Sequence, residues 1–149
     1  MVIDPATEKG GRVDARLREE LVAWLVTVAE DGTPVPTPVW FWWDGETLLV
    51  YSQRDKPKLR HTAANPRVAL AMRTDEHGDA LVVITGEAGV DDSAPPPDQV
   101  PEYIESTDDI RPESASVLPH APALVLDLAE LAARPSSLAG RPIARSSGV

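Results

Sequence analysis

Short glycine-containing turns divide most of this chain into apolar segments of strand length. These turns occupy residues 30–33, 43–46 and 76–79, and each is typical of a connection between antiparallel strands. The segments between them are rich in β-branched and aromatic residues, which favour strands. Successive antiparallel strands joined by short turns form a meander that can close into a small barrel. The chain is therefore predicted to be mainly β, with short helices beside the sheet.

The predicted sheet contains six strands. A short amphipathic helix over residues 14–20 precedes them, with Asp14 as its N-cap, because Val13, Leu17 and Leu21 recur at helical spacing. A second short helix is expected before Pro66. The strands are expected at residues 22–29, 35–43, 47–53, 67–73, 80–90 and 123–128.

Prolines and glycines mark special positions in two of these strands. Pro34, Pro36 and Pro38 lack backbone N–H groups, which predicts a sheet edge or barrel rim for the first half of the second strand. In the fifth strand, Gly86 and Gly89 are expected at bends or bulges. A strand that cannot pair fully, such as the second, could face a ligand.

The length of 149 residues suits one domain. We expect a flexible N-terminus over residues 1–13, the barrel over residues 14–133 and a disordered tail over residues 134–149. An acidic helix is predicted at residues 97–106. No apolar run reaches membrane-spanning length and no basic, apolar leader opens the chain, so no membrane association and a cytoplasmic location are expected.

Positive charge is concentrated in one short stretch of an acidic chain. The net charge of −10 argues against nucleic acid as a partner. Pro57 suits the first position of a helix, so Lys56 and Lys58 would flank free backbone N–H groups, which form a ready anion site. The alternative is that these cations are solvated charges on a loop. The cations of the stretch are Arg54, Lys56, Lys58, Arg60 and Arg67.

Metal and triad chemistry find no support in the sequence. The chain has no cysteine, which excludes disulfides and thiolate metal sites. His61, His77 and His120 lack zinc-ligand spacing, and His61 is expected at the surface or as a helix-end partner. No nucleophile elbow is present, so a catalytic triad is not expected.

Residues 51–70 resemble the phosphate-binding stretch of the flavin and deazaflavin split-barrel family related to pyridoxamine 5′-phosphate oxidase. In that family, a strand ending in a hydroxyl residue leads to a basic residue, any residue and Lys, and then to Asn-Pro or Asp-Pro. Here these elements are Ser52, KPK at residues 56–58 and NP at residues 65–66. Residues 31–53 resemble the actinobacterial branch of probable F-420-dependent enzymes more closely than the oxidases.

The resemblance implies a six-stranded antiparallel split β-barrel, similar to flavin-reductase-like barrels, that forms a homodimer with two cofactor sites at the subunit interface. It implies an oxidoreductase in which reduced coenzyme F-420, a deazaflavin, gives a hydride to a conjugated small-molecule substrate. The alternatives are an FMN-dependent oxidase or reductase on the same fold and a non-catalytic cofactor carrier. The basic loop is compatible with either cofactor, because both contain a phosphate.

The resemblance also maps a cofactor site onto this chain, but no catalytic residue. The ring would lie against the second strand, and the phosphate would contact the loop and helix after the third strand. Additional cations such as Arg54, Arg60 or Arg67 would favour the polyanionic tail of F-420. The mapped residues are Thr37, Pro38, Val39 and Trp40; Tyr51, Ser52 and Gln53; and Lys56, Lys58, Leu59 and Arg60.

Two further expectations concern the aromatic strand and the tail. Strand alternation puts Trp40 and Trp42 on one face and Phe41 and Trp43 on the other, and we expect one pair at a subunit interface. The resemblance ends near residue 104. The later sequence has either diverged within its lineage or been replaced through a shifted reading frame.

Overall fold

A computed structural model describes residues 2–52, 56–91, 93 and 123–135 of the chain. Its strands form one antiparallel sheet in the order β2-β1-β5-β6-β7-β4-β3. Contact between β2 and β4 shows that the sheet curls back on itself, which confirms the predicted mainly β class. The elements are α1 (Glu8–Glu19), β1 (Val22–Val28), β2 (Pro34–Trp40), β3 (Trp42–Trp43), β4 (Leu48–Tyr51), α2 (Pro57–Ala64), β5 (Arg67–Ala71), β6 (Val82–Val90) and β7 (Ala123–Ala133).

The first helix begins earlier than predicted. Thr7 is its N-cap, and the Thr7 hydroxyl accepts a hydrogen bond of 3.0 Å from the backbone N–H of Gly10. The predicted start at Asp14 is therefore wrong. The Asp14 carboxylate instead accepts a hydrogen bond of 2.8 Å from Nε1 of Trp43, which ties α1 to β3.

The segment expected to be a flexible N-terminus contributes to the core. Ile3 and Val13 are each 1% exposed. A Cβ added at Gly10 would lie 1.8 Å from the carbonyl oxygen of Asp4, so the chain before α1 lies directly against the helix. Residues before Asp14 are thus held by burial and by the close backbone approach at Gly10.

The β1–β2 hairpin has the predicted position and turn. Val22 lies opposite Trp40 at one end, and Val28 lies opposite Pro34 at the other. Gly32 in the turn has a φ of +87°, a conformation that glycine adopts without steric cost. β2 is an edge strand, which confirms the prediction from its alternating prolines.

The second predicted strand is divided in two. β2 ends at Trp40, and β3 pairs with β4 instead of β1, with Trp42 opposite Leu49. Phe41 lies between them and is buried. The prediction of one strand over residues 35–43 is wrong because the chain changes its pairing partner at Phe41. The described sheet consequently has seven strands rather than six.

The pairing of β6 with β7 shifts in register beside Gly86. Thr85 lies opposite Glu130, whereas Gly86 lies opposite Leu128, so β7 has one additional residue at this point. The predicted irregularity is confirmed at Gly86. The register continues without a shift through Gly89.

The last strand is longer than predicted and lies inside the sheet. β7 extends to Ala133 and pairs with both β6 and β4. Immediately after it, Nε of Arg134 lies 2.8 Å from Oδ1 of Asp79. The first residue of the expected disordered tail is thus paired with the β5–β6 connection. The predicted acidic helix over residues 97–106 and residues 136–149 of the tail lie outside the described residues.

The sheet has apolar clusters on both faces. Phe41 and Trp43 belong to the main core, which includes side chains from α1. The opposite face carries an outer cluster, which confirms the predicted alternation of the aromatic strand. None of the helices in the described ranges is long and apolar enough to cross a membrane. The outer cluster consists of Leu49, Tyr51, Ala123, Trp40, Trp42 and Val125.

Candidate functional site

The basic segment lies between the end of β4 and the start of α2. β4 ends at Tyr51, and the Ser52 side chain after it is buried. Pro57 is the first helical residue and Lys56 is the N-cap, with no side-chain capping hydrogen bond. The prediction of Pro57 at the first helical position is confirmed. Pro57 has no backbone N–H, and the N–H of Leu59 donates to the Lys56 carbonyl oxygen at 3.2 Å, so the backbone donor that an anion would meet first is the N–H of Lys58.

The side of helix α2 that faces the barrel carries mainly polar residues. Lys58 and Leu59 are half-buried, whereas Lys56 and Arg60 are exposed. Leu59 packs against the main core. The Thr62 hydroxyl donates to the Lys58 carbonyl oxygen at 2.9 Å. The helix therefore presents Lys58 at the edge of the buried side and Arg60 to solvent.

His61 is buried, at 7% exposure, rather than at the surface. Its Nδ1 lies 2.9 Å from Oγ1 of Thr27 in a hydrogen bond. The expectation of a surface position is wrong because His61 lies one helical turn after Lys58, on the side of α2 that faces β1. The signal that sequence analysis missed is Thr27. This hydroxyl residue lies on the same inward face of β1 as Ala23 and Leu25.

The two lysines at this site lie close enough to affect each other. Burial lowers the pKa of the Lys58 ammonium from its ordinary value of 10.5, and the positive charge of Lys56 lowers it further. The ion pairs formed among the described residues include neither lysine. An anion at this position would relieve the repulsion between the two ammonium groups.

The mapped residues of β2 divide between its two faces. Val39 is buried and Thr37 is half-buried, whereas Pro38 is exposed. Trp40 packs against the outer cluster that contains Tyr51. The end of β2 and the end of β4 are thus brought together around Trp40 and Tyr51, next to Ser52.

The remaining mapped residues are partly outside this neighbourhood. α2 packs mainly against β1 and β6. β2, which carries Thr37 and Pro38, is the edge strand next to β1, so these two residues lie beyond the strands that the helix contacts most. Gln53 and Arg54 lie outside the described residues. Burial raises the pKa of the Tyr51 phenol, so Tyr51 is protonated at neutral pH.

The donor chemistry fits a phosphate and does not indicate a metal. The two lysine ammonium groups and the backbone N–H of Lys58 are all donors, as a phosphate group requires. The described ranges contain no cluster of His, Cys, Asp and Glu that could hold a metal ion. A cavity of about 510 Å³ lies at the opposite end of β4, where Trp43, Glu46 and Asp127 contribute to its lining, and it is separate from the basic segment.

The chain matches one family profile over most of its length. Residues 11–132 match the profile described as pyridoxamine 5′-phosphate oxidase. No curated protein matches the chain. These residues include every position at which the family resemblance predicts a cofactor contact.

Several solved structures share the fold. An F-420 reductase has 26% sequence identity and a TM-score of 0.66, with coverage of 80% of this chain and 94% of that chain. A putative pyridoxamine 5′-phosphate oxidase from Listeria innocua has 21% identity and a TM-score of 0.65, with 82% and 94% coverage. A heme storage protein from Vibrio cholerae has 17% identity and a TM-score of 0.60, with 90% and 96% coverage.

Proposed function

This chain belongs to the pyridoxamine 5′-phosphate oxidase family, and we propose that it is a deazaflavin-dependent oxidoreductase. In this proposal, reduced coenzyme F-420 gives a hydride to a conjugated small-molecule substrate. The observation that carries the proposal is the pair of lysines at the start of α2, where the half-buried Lys58 and the exposed Lys56 lie at a helix N-terminus with no side-chain cap.

The residues of this chain would bind and orient the cofactor. Lys56 and Lys58 would hold its phosphate, and the backbone of residues 37–40 would lie against the ring, near Ser52. The bound cofactor supplies the hydride chemistry, while the protein supplies position and electrostatics. No side chain is assigned as a general acid, so the product would take its proton from solvent.

We propose F-420 rather than FMN as the cofactor because positive charge also lies outside the proposed phosphate position. Arg60 and Arg67 are both exposed and carry positive charge that a polyanionic cofactor tail could contact. The similarity to an F-420 reductase at 26% identity supports the same choice. FMN remains the alternative cofactor, supported by the similarity to the Listeria protein.

A non-catalytic carrier is the alternative function. The similarity to a heme storage protein supports it, since that fold also occurs in a protein named for storage. Turnover of several conjugated acceptors with reduced F-420 would exclude a carrier. Tight cofactor binding without turnover of any acceptor would favour it.

The proposal is tested by parallel equilibrium titrations of the protein with oxidised F-420 and FMN, followed by cofactor fluorescence. We expect tighter binding of F-420 than of FMN, and weaker binding of both at high salt, because exposed charges are screened. Preference for FMN would instead support the flavin-dependent alternative. Binding of neither cofactor would contradict the proposed function.

Cofactor affinity is expected to depend on the protonation of Lys58. Because its pKa is lowered from 10.5, the ammonium loses its proton at a lower pH than an exposed lysine. Since an anion prefers the charged form, affinity should fall as pH rises through this lowered pKa. The measurement is the dissociation constant between neutral pH and about pH 10.

Lys58→Arg provides the control for this pH dependence. Its guanidinium remains charged over the whole range, so the part of the decline that comes from residue 58 should disappear. An identical decline in the wild-type protein and the arginine variant would assign the pH dependence to the cofactor or to another residue.

We also propose that the protein is a homodimer and that the face around Trp24 contributes to the interface. Trp24 is 47% exposed and lies opposite Pro38 of β2 and Ala71 of β5. These three residues form an apolar row across the sheet, and Val83 of β6 continues it opposite Ala71. Such a row on a soluble domain is suited to a second copy of the chain.

Replacing Trp24 with glutamate is expected to raise the dimer dissociation constant by about tenfold or more, because buried tryptophans dominate interface energies. Sedimentation equilibrium over a range of protein concentrations measures this effect. Val90→Glu is the matched control, since Val90 is 50% exposed and lies at the other end of β6. Equal dimerisation of the wild-type and Trp24→Glu proteins would exclude this face.

A further inference from the structure

The helix α2 has little apolar surface with which to dock on the barrel. Its sequence is PKLRHTAA, and Leu59 is its one large apolar side chain packed against the main core. Its two buried residues, His61 and Thr62, are polar. Because apolar packing is non-directional, a single leucine leaves the rotation of the helix about its own axis weakly determined.

A buried hydrogen bond between α2 and β1 restricts the rotation of the helix about its own axis. Thr27 is 1% exposed and His61 is 7% exposed, and their Oγ1 and Nδ1 atoms lie 2.9 Å apart. A buried polar group that loses its partner is costly. The helix therefore cannot turn away from β1 without leaving the imidazole nitrogen and the Thr27 hydroxyl unpaired. The other buried polar residue, Thr62, bonds within α2 and gives no such direction.

The position of His61 on the helix links this bond to the anion site. Lys58 precedes His61 by three residues, which places the two side chains about 60° apart around the helix axis. Any rotation that breaks the bond to Thr27 would also move Lys58 relative to the barrel. We propose that the Thr27–His61 hydrogen bond is the positioning contact that sets the orientation of α2 and so places the Lys58 ammonium for anion binding.

The proposal rests on the proposed function only for the identity of the anion. Thr27 and His61 are positioning residues, because they act through α2 and neither is placed in contact with the cofactor. Thr27→Val removes the hydroxyl with little change of shape, whereas Thr27→Ser retains it. This pair of variants separates the hydrogen bond from the packing of β1.

We expect Thr27→Val to weaken F-420 binding by about tenfold, which corresponds to about 1.4 kcal/mol. Thr27→Ser is expected to restore affinity to within about twofold of the wild-type value. The dissociation constants are measured by fluorescence titration at a temperature where circular dichroism shows each variant to be folded. Wild-type affinity in a folded Thr27→Val protein would overturn the proposal.

A second measurement needs no cofactor. The chain has three lysines, Lys9, Lys56 and Lys58, so ¹³C-dimethylation gives few lysine NMR signals, which single Lys→Arg variants can assign. In Thr27→Val, the pKa of Lys58 is expected to move towards its ordinary value while that of Lys9 stays constant. An unchanged Lys58 titration would contradict the proposal, even if the wild-type protein binds neither cofactor.

A double variant keeps the test decisive if Thr27→Val does not fold. Thr27→Val combined with His61→Leu replaces both partners with apolar groups and leaves no unpaired polar atom, which is far less destabilising. We expect this protein to fold and to show the same movement of the Lys58 pKa towards its ordinary value as the single variant. A folded double variant with wild-type Lys58 titration and cofactor affinity would overturn the proposal.

Discussion

Replacing Gly86 with alanine is expected to lower the free energy of unfolding by about 3 kcal/mol or more. A Cβ at this position would lie 2.0 Å from the carbonyl oxygen of Asp127 and 3.1 Å from Cα of Leu128. Both atoms belong to the backbone of β7, so no side-chain rotation can make room. The sheet would have to separate at the register shift between β6 and β7. Urea denaturation followed by circular dichroism measures the change.

Gly89→Ala is the matched control for this prediction. Gly89 lies in the same strand, and a Cβ added there meets no atom within 4 Å. Because glycine in a strand interior has a high entropic cost, alanine at this position should be neutral or stabilising by up to about 1 kcal/mol. Equal stability of the Gly86→Ala and Gly89→Ala proteins would show that β7 does not approach Gly86 this closely.

Replacing Lys58 with alanine is expected to weaken cofactor binding by about 1.5–3 kcal/mol, the contribution of a hydrogen bond to a charged group. This range corresponds to a loss of affinity of about 10- to 150-fold. The physical reason is that Lys58 is half-buried at the start of α2, where its charge is less screened by solvent than that of an exposed lysine. Fluorescence titration with F-420 and FMN measures the effect.

Lys9→Ala removes the same charge from a different part of the protein. The Nζ atom of Lys9 donates to the Leu131 carbonyl oxygen at 3.2 Å, so this lysine lies on α1 beside β7. If binding responded only to net charge, both alanine variants would lose affinity equally. Unchanged affinity in Lys58→Ala would remove the phosphate assignment from the start of α2.

Features that depend only on residues adjacent in the sequence were predicted most accurately. The turn around Gly32 requires a positive φ, and Pro57 has the fixed φ of a first helical residue, so both could be placed without tertiary information. The alternating prolines likewise predicted an edge strand, since a missing N–H group limits pairing wherever the strand lies.

The candidate site was predictable only in part. The basic segment around Lys56 and Lys58 was evident from charge and from the family resemblance. The burial of His61 was not, because its partner Thr27 is 34 residues away in the chain. A helical period identifies which side chains share a face, but it cannot show which polar residue of another strand will meet them.

Short-range sequence features were enough to predict the mainly β class, the hairpin turns, the edge position of β2 and the helix start at Pro57, because turn geometry and missing donors act over a few residues. Where the chain changes pairing partners depends instead on tertiary packing. At Phe41 it leaves β1 for β4, and β7 takes a place between β6 and β4. It also buried Ile3 and His61, since burial depends on surfaces that meet only after the sheet has curled.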